Sequence, residues 1–151
     1  MDALGKALEK IIAKQLASLA EEHHMLPDQQ MGARQQRDTT MALKLLTEQI
    51  HTVWARGTVT KWWIATMLCL DMAGAFDNAS HKRLIHILQN KQVPTRIVLW
   101  VESFMSDRWS SLTIDTQTSS LFPIQNGIPQ GSPVSPILFL FFNEELVKIC
   151  N

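Results

Sequence analysis

From Trp62 to Leu70 the chain runs Trp-Trp-Ile-Ala-Thr-Met-Leu-Cys-Leu, almost wholly apolar at odd and even positions alike, and Asp71 follows at once. An apolar run on both parities suits a strand buried on both faces, which requires neighbouring strands and a layer on each side. Periodicity alone leaves a buried helix open for the same run. The segment nonetheless demands a core. With 46% hydrophobic and 19% charged residues in 151, the chain can supply one and is not a disordered tail.

The flanking segments read mostly as helices. Leu4, Leu8, Ile11, Ile12, Leu16 and Leu19 recur at three- and four-residue spacing, predicting a first helix over residues 3–24. Pro27 and Asp28 interrupt it, and a polar loop leads to Asp38, which can cap a second helix to about Trp54. That helix would turn Ala42, Leu45, Leu46, Gln49 and Val53 inward. Ser80 can cap a third helix to about Lys91, with Leu84, Ile85 and Leu88 inward. Pro94 opens a fourth, with Ile97, Trp100, Val101 and Phe104 on one face. Leu112 and Ile114 then alternate with polar residues, and Leu121, Phe122 and Ile124 answer them across a turn at Thr118-Ser119-Ser120, predicting a β-hairpin. Ser132 or Ser135 caps a last helix. Its stretch Ile137–Phe142 is apolar all round and therefore buried. The architecture expected is α+β, helices packed on a small, mostly antiparallel sheet.

Lys+Arg and Asp+Glu are both 14, and each side of residue 60 carries seven of each sign. Neither half is a basic arm of the kind that phosphate binding favours. Cys69 and Cys150 form neither a disulfide framework nor a CxxC metal pair, which points to a reducing compartment. No signal peptide opens the chain, and its longest apolar run is too short for a bilayer. A soluble, intracellular protein is expected, without a membrane partner.

Two segments can carry chemistry. Asp71, at the end of a hydrophobic run, is held by rigid backbone yet exposed, which suits a Mg2+ ligand; it equally suits a solvated acid starting a turn. Asp77 can support such a site or cap the helix that follows. The second segment is Gly127-Ile128-Pro129-Gln130-Gly131-Ser132-Pro133, a loop before a helix N-terminus. Glycine there permits close backbone approach, and Gln130 both donates and accepts hydrogen bonds. A plain Gly/Pro turn is the alternative. His23-His24 and His81/His86 miss metal-binding helical spacing, and neither GxxxxGK nor GxSxG is present.

Taken together, these segments resemble a known family. Leu70-Asp71-Met72-Ala73-Gly74-Ala75-Phe76-Asp77-Asn78 looks like the first palm motif of reverse transcriptases. Ser80-His81-Lys82-Arg83-Leu84 continues it in the form of non-LTR (LINE-like) retrotransposons. The stretch from Asn126 to Leu138 resembles the second palm motif, and Gln30–Thr40 is similar to the fingers segment. The fungal members look most alike. The resemblance implies a partial right-hand polymerase fold, residues 1–60 a fingers-like helical segment and 61–151 a partial palm. It implies an RNA-directed DNA polymerase working by two-metal catalysis on an RNA template, a DNA primer and dNTPs, in the nucleus.

The same resemblance assigns roles. Asp71 would bind the catalytic Mg2+ ions, and the Met72 carbonyl would ligate one of them. Phe76 would exclude a ribose 2′-hydroxyl. Pro129, Gln130 and Gly131 would pack under the incoming nucleotide, and Arg34 and Arg37 would contact template or phosphate. The family's third motif, an aromatic-x-Asp-Asp hairpin, and its thumb are expected beyond Asn151. Glu144 and Glu145 are poor substitutes for that Asp pair, so this stretch alone is expected to be inactive. Asp38 stands where the family usually has Ser, and Gln35-Gln36 replaces a more basic or Gly-containing pair. An acid near the template path would weaken binding, which fits a degenerate copy; a noncatalytic nucleic-acid-binding protein that kept the fold is the other alternative.

Overall fold

The computed structural model describes residues 3–58 and 60–149. Helices α1 (Ala3–Glu22), α2 (Thr39–Ala55), α3 (His81–Asn90), α4 (Thr95–Met105) and α5 (Ser135–Ile149) alternate with irregular chain and two strand pairs. The helix starts follow their caps. The Asp38 carboxylate accepts from Met41 N–H at 2.7 Å, and the Ser80 hydroxyl accepts from Arg83 N–H. Pro94 immediately precedes α4, where its missing N–H does no harm.

Two of the stops share one device. At the end of α1, His24 takes φ +49°, and Met25 N–H returns to the Ala20 carbonyl. At the end of α3, Gln92 takes φ +56°, with Val93 N–H on Leu88 O and Gln92 N–H on Gln89 O. These bonds satisfy carbonyls that the finished helix leaves bare.

The core is helix against helix. Leu84 and Leu88 of α3, Ile97, Val101 and Met105 of α4, Leu138 and Phe141 of α5, and Leu16 and Ala20 of α1 lie within one buried cluster. Each fully buried Leu, Ile or Phe there contributes about 1.5–3 kcal/mol. The expected burial of Ile137–Phe142 is seen, with Phe139 and Phe142 only partly covered.

Several expectations are corrected. Residues 62–70 form no strand: Trp62, Ile64, Met67, Leu68 and Leu70 all face solvent. A doubly buried strand needs flanking strands to take its backbone hydrogen bonds, and none of the described residues lies beside this segment in a sheet. The helices likewise pack on one another rather than on a sheet. The strands are pairs of two residues each, β1 (Trp109–Ser110) with β4 (Phe122–Pro123) and β2 (Thr113–Ile114) with β3 (Gln117–Thr118), both antiparallel and mostly exposed. The hairpin turns at Asp115–Thr116, not at 118–120. Asp115 supplies the left-handed backbone (φ +54°), a conformation that Asp adopts more readily than most residues.

The buried face of α1 is also rotated from the expected one. Leu4, Leu8 and Ile11 face out, whereas Glu9, Leu16 and Ala20 face in. In α2 no residue is fully buried; Ala42, Leu46 and Val53 are half covered, while Leu45 and Gln49 are exposed. No helix among the described residues is long and apolar enough to cross a membrane. Cys69 is exposed and unpaired, and Cys150 lies outside the described residues.

Candidate functional site

The turn after Asp71 is closed by its own backbone. Asn78 N–H reaches the Gly74 carbonyl at 2.9 Å, and Gly74 takes φ +61°, where a Cβ would strike the Asn78 side chain. The far end of this turn docks on the Gly/Pro loop. Ile128 N–H donates to Phe76 O and Gly127 N–H to Ala79 O, both at 2.8 Å, and Ser80 and Asn126 form an antiparallel bridge. His81 Nε2 donates to the Gly127 carbonyl at 2.8 Å. Two segments some fifty residues apart in sequence thus form one backbone-bonded junction.

Gly127 is required at its centre. Its φ is +94°, and a Cβ there would sit 2.9 Å from the Asp77 carbonyl oxygen.

Beyond the junction the loop is anchored at both ends and open in its middle. Gly127, Ile128 and Pro129 are buried, Gln130 and Gly131 are exposed, and Ser132 is buried again. Ser135 Oγ donates to Pro129 O at 2.5 Å, and Ser132 Oγ donates to Glu9 Oε2 at 2.5 Å. Ser132 Oγ also accepts from Val134 N–H at 3.2 Å. Glu9 is therefore a clamp on the loop, reaching from α1. A stripe reading of α1 missed it because it scored only apolar residues; the signal was spacing, since residues 9, 13, 16 and 20 lie on one helical face.

Asp71 itself is exposed, on irregular chain just before the junction, and Met72 is partly exposed beside it. Phe76 is half-buried, its ring stacked on Phe139 of α5 at 4.9 Å between centroids. Asp77 does not cap α3, a role taken by Ser80. Among the described residues no group of three or more His, Cys, Asp or Glu side chains gathers at one point. The acids of α5 are already engaged: Glu144 with Lys91 and Lys148, and Glu145 with Arg83 at 2.8 Å.

Arg34 departs from the role expected of it. Its side chain is 2% exposed, with Nε and Nη2 each 2.7 Å from a Glu21 carboxylate oxygen. Its Nη1 donates to the carbonyls of Pro27 and Gln30. A guanidinium so enclosed braces the polar loop and offers nothing to a phosphate. Gln30 is buried as well and donates to Leu140 O of α5 at 2.9 Å. Arg37 is less enclosed, meeting Asp28 at the surface.

These pairs set a pH dependence. The hydrogen bond from Arg34 holds the Glu21 carboxyl below its ordinary value of 4.5. For Glu144, burial pushes the carboxyl up, but the Lys148 and Lys91 ammoniums outweigh it and the net shift is also downward. A carboxyl depressed in the folded state stabilises fully above its unfolded value and loses that contribution as pH falls toward the lower folded one. Thermal melts should therefore lose these two contributions as pH falls through 4.5, the ordinary value of both groups, toward their lower folded values. Arg34→Ala should flatten that loss.

The reverse transcriptase (RNA-dependent DNA polymerase) family matches residues 1–151. The RNA-directed DNA polymerase from mobile element jockey of Drosophila melanogaster is 30% identical over 148 residues, covering 97% of this chain and 15% of that protein. The probable RNA-directed DNA polymerase from transposon BS of the same fly is 28% identical over 146 residues, covering 97% of this chain and 16% of its own length. A Pol polyprotein from the type-1 retrotransposable element R2 of Popillia japonica is 28% identical over 85 residues, which is 56% of this chain and 14% of that one. The chain thus spans about 15% of the length of the jockey relative. No solved structure matches it.

Proposed function

The chain belongs to the reverse transcriptase (RNA-dependent DNA polymerase) family, and on that premise we propose that it forms the nucleotide-facing part of an RNA-directed DNA polymerase of a non-LTR retrotransposon. In this reading residues 1–60 are a fingers-like segment and 61–151 a partial palm within a right-hand polymerase fold, acting in the nucleus. The relatives named above are insect elements, and nothing among them favours the fungal branch.

The observation that carries the reading is the junction itself. It fixes the turn of residues 74–80 against the loop that presents Gln130 and Gly131, and exposed Asp71 lies three residues before Gly74 on the chain that enters this turn. A preorganised unit of this kind positions a nucleotide without reordering at the moment of reaction. Gln130 would hydrogen-bond the incoming dNTP or its template partner, and Gly131 leaves its backbone open to close approach. Phe76, braced by Phe139, would form the wall beneath the sugar that a 2′-hydroxyl cannot share.

The donors fit magnesium in kind, since the Asp71 carboxylate and the Met72 carbonyl are hard oxygens. When bound, magnesium would polarise phosphoryl oxygens and steady their charge. Two protein oxygens do not complete even one octahedral ion, and the rest must come from water, nucleotide phosphates and further acids. The 151-residue chain alone is therefore expected not to extend a primer.

Grafting provides the test. Residues 1–151 would replace the matching stretch of a jockey-type polymerase, with primer extension read on poly(rA)·oligo(dT) in Mg2+. The chimera should incorporate dTTP, and Asp71→Asn should lower incorporation at least about a hundredfold, since even outer-shell changes at metal sites lower activity ten- to a hundredfold. A chimera whose activity survives Asp71→Asn would refute the assignment, and extension by the isolated chain would refute its inactivity.

A further inference from the structure

On the buried face of α1, Glu9 sits 4% exposed beside the apolar Leu16 and Ala20. A carboxylate gives up its water on burial and holds such a place only when a donor answers it. The donor comes from the far end of the chain, Ser132 Oγ at 2.5 Å. The same hydroxyl accepts from Val134 N–H at 3.2 Å, so its proton and one of its lone pairs are both committed. Three residues before Ser132, the Pro129 carbonyl accepts from Ser135 Oγ at the start of α5, also at 2.5 Å.

These two bonds bracket Gln130 and Gly131. Both residues are exposed, and a Cβ built on Gly131 would find nothing within 4 Å. Packing therefore does little to fix the tip; its ends do. With Pro129 tied to α5 and Ser132 tied to α1, a span of two residues has few backbone conformations open to it. Freeing one end releases about one residue, which lowers the population of any single loop shape about tenfold. A ligand that needs that shape then binds more weakly by the same factor. A tie that served only to pack α1 would do as well with an apolar pair, and would not desolvate a carboxylate. A directional bond to one hydroxyl fixes a position instead.

We infer that Glu9 is a positioning residue for the nucleotide: acting through Ser132, it holds Gln130 and Gly131 in the shape that receives an incoming dNTP. The inference rests on the polymerase reading given above. It makes the first helix a determinant of nucleotide affinity, exerted from a buried face rather than from the exposed tip.

The grafted chimera supplies the assay, as steady-state dTTP incorporation on poly(rA)·oligo(dT). Glu9→Ala and Ser132→Ala should each raise the KM for dTTP about tenfold, with kcat within about twofold of the parent. The double variant should raise KM no further, because both changes remove one contact. Glu9→Gln keeps a carbonyl oxygen for the hydroxyl and should restore most of the affinity. Val101→Ala truncates the buried face of α4; it should lower the melting midpoint and leave KM unchanged. In the 151-residue chain, with no turnover involved, Glu9→Ala should speed exchange of the Val134 amide about tenfold, since that N–H rests on the Ser132 hydroxyl. Exchange at the parent rate would show that Glu9 does not hold the loop end. In a chimera that Asp71→Asn silences, an unmoved KM in Glu9→Ala, additive single effects, or a loss confined to kcat would each overturn the role of Glu9 alone. Activity that survives Asp71→Asn would overturn the polymerase reading and this role with it.

Discussion

Gly127→Ala should lower stability by about 3 kcal/mol, the combined scale of a left-handed L-residue and an overpacked contact. The added methyl would lie 2.9 Å from the Asp77 carbonyl oxygen and 3.3 Å from the Asp77 Cα, both backbone atoms of a hydrogen-bonded turn. Neither can yield without stretching the bonds from Gly127 to Ala79 and from Ile128 to Phe76. Gly131→Ala is the internal control. Its φ of +81° carries the same conformational penalty, but nothing lies within 4 Å of the new methyl. It should lose only about 1 kcal/mol. Denaturant melts of the two variants separate packing from backbone strain, and equal losses would mean that the two motif segments are not locked together as described.

The second large effect concerns Arg34. Arg34→Ala should destabilise by about 2–3 kcal/mol, below the usual 3–5 for breaking a buried ion pair because the Glu21 side chain is 36% exposed and can regain water. The variant also strips the Pro27 and Gln30 carbonyls of their donor. Arg34→Lys should recover little, since an ammonium cannot reproduce the two-pronged contact and reach both carbonyls as well. A phosphate ligand would behave otherwise. Its removal would leave the melt unchanged and reduce the salt slope of RNA binding by about one. Paired measurements of unfolding and of binding against salt decide between bracing and ligation, and Arg37→Ala, nearer the surface, supplies the comparison.

What the sequence disclosed depended on how local the determining physics was. The helix starts at Asp38 and Ser80 were legible, since a cap acts on N–H groups three residues away. The burial of Ile137–Phe142 was legible because no rotation of that helix could expose one polar side. The segment 62–70 was not: apolar composition records an appetite for burial but not whether neighbouring strands are present to satisfy it. Arg34 misled for a related reason, since a basic residue in a polar loop looks solvent-facing until its partner thirteen residues earlier is known. Glu9 was passed over because a count of apolar residues skips an acid on the buried helix face, and its partner, the Ser132 hydroxyl that donates to its carboxylate, lies far along the chain. At the site, the two motif segments were visible as separate strings, and the backbone bonds that join them were not.

The clamp from Glu9 to Ser132 joins residues 123 apart in sequence, and the Gln30–Leu140 bond joins residues 110 apart. By contrast, α3 and α4 are separated by a short turn and can pair as soon as both exist. Loop closure grows costlier with length only slowly, by about 0.6 kcal/mol per doubling, but it must be met before any distant contact gives a return. Pulse-labelled hydrogen exchange should therefore protect the α3–α4 hairpin before α1. The loop bearing Gln130 is held from one side by the junction and α5 and from the other by α1, so its Ser132 end should close with the first helix.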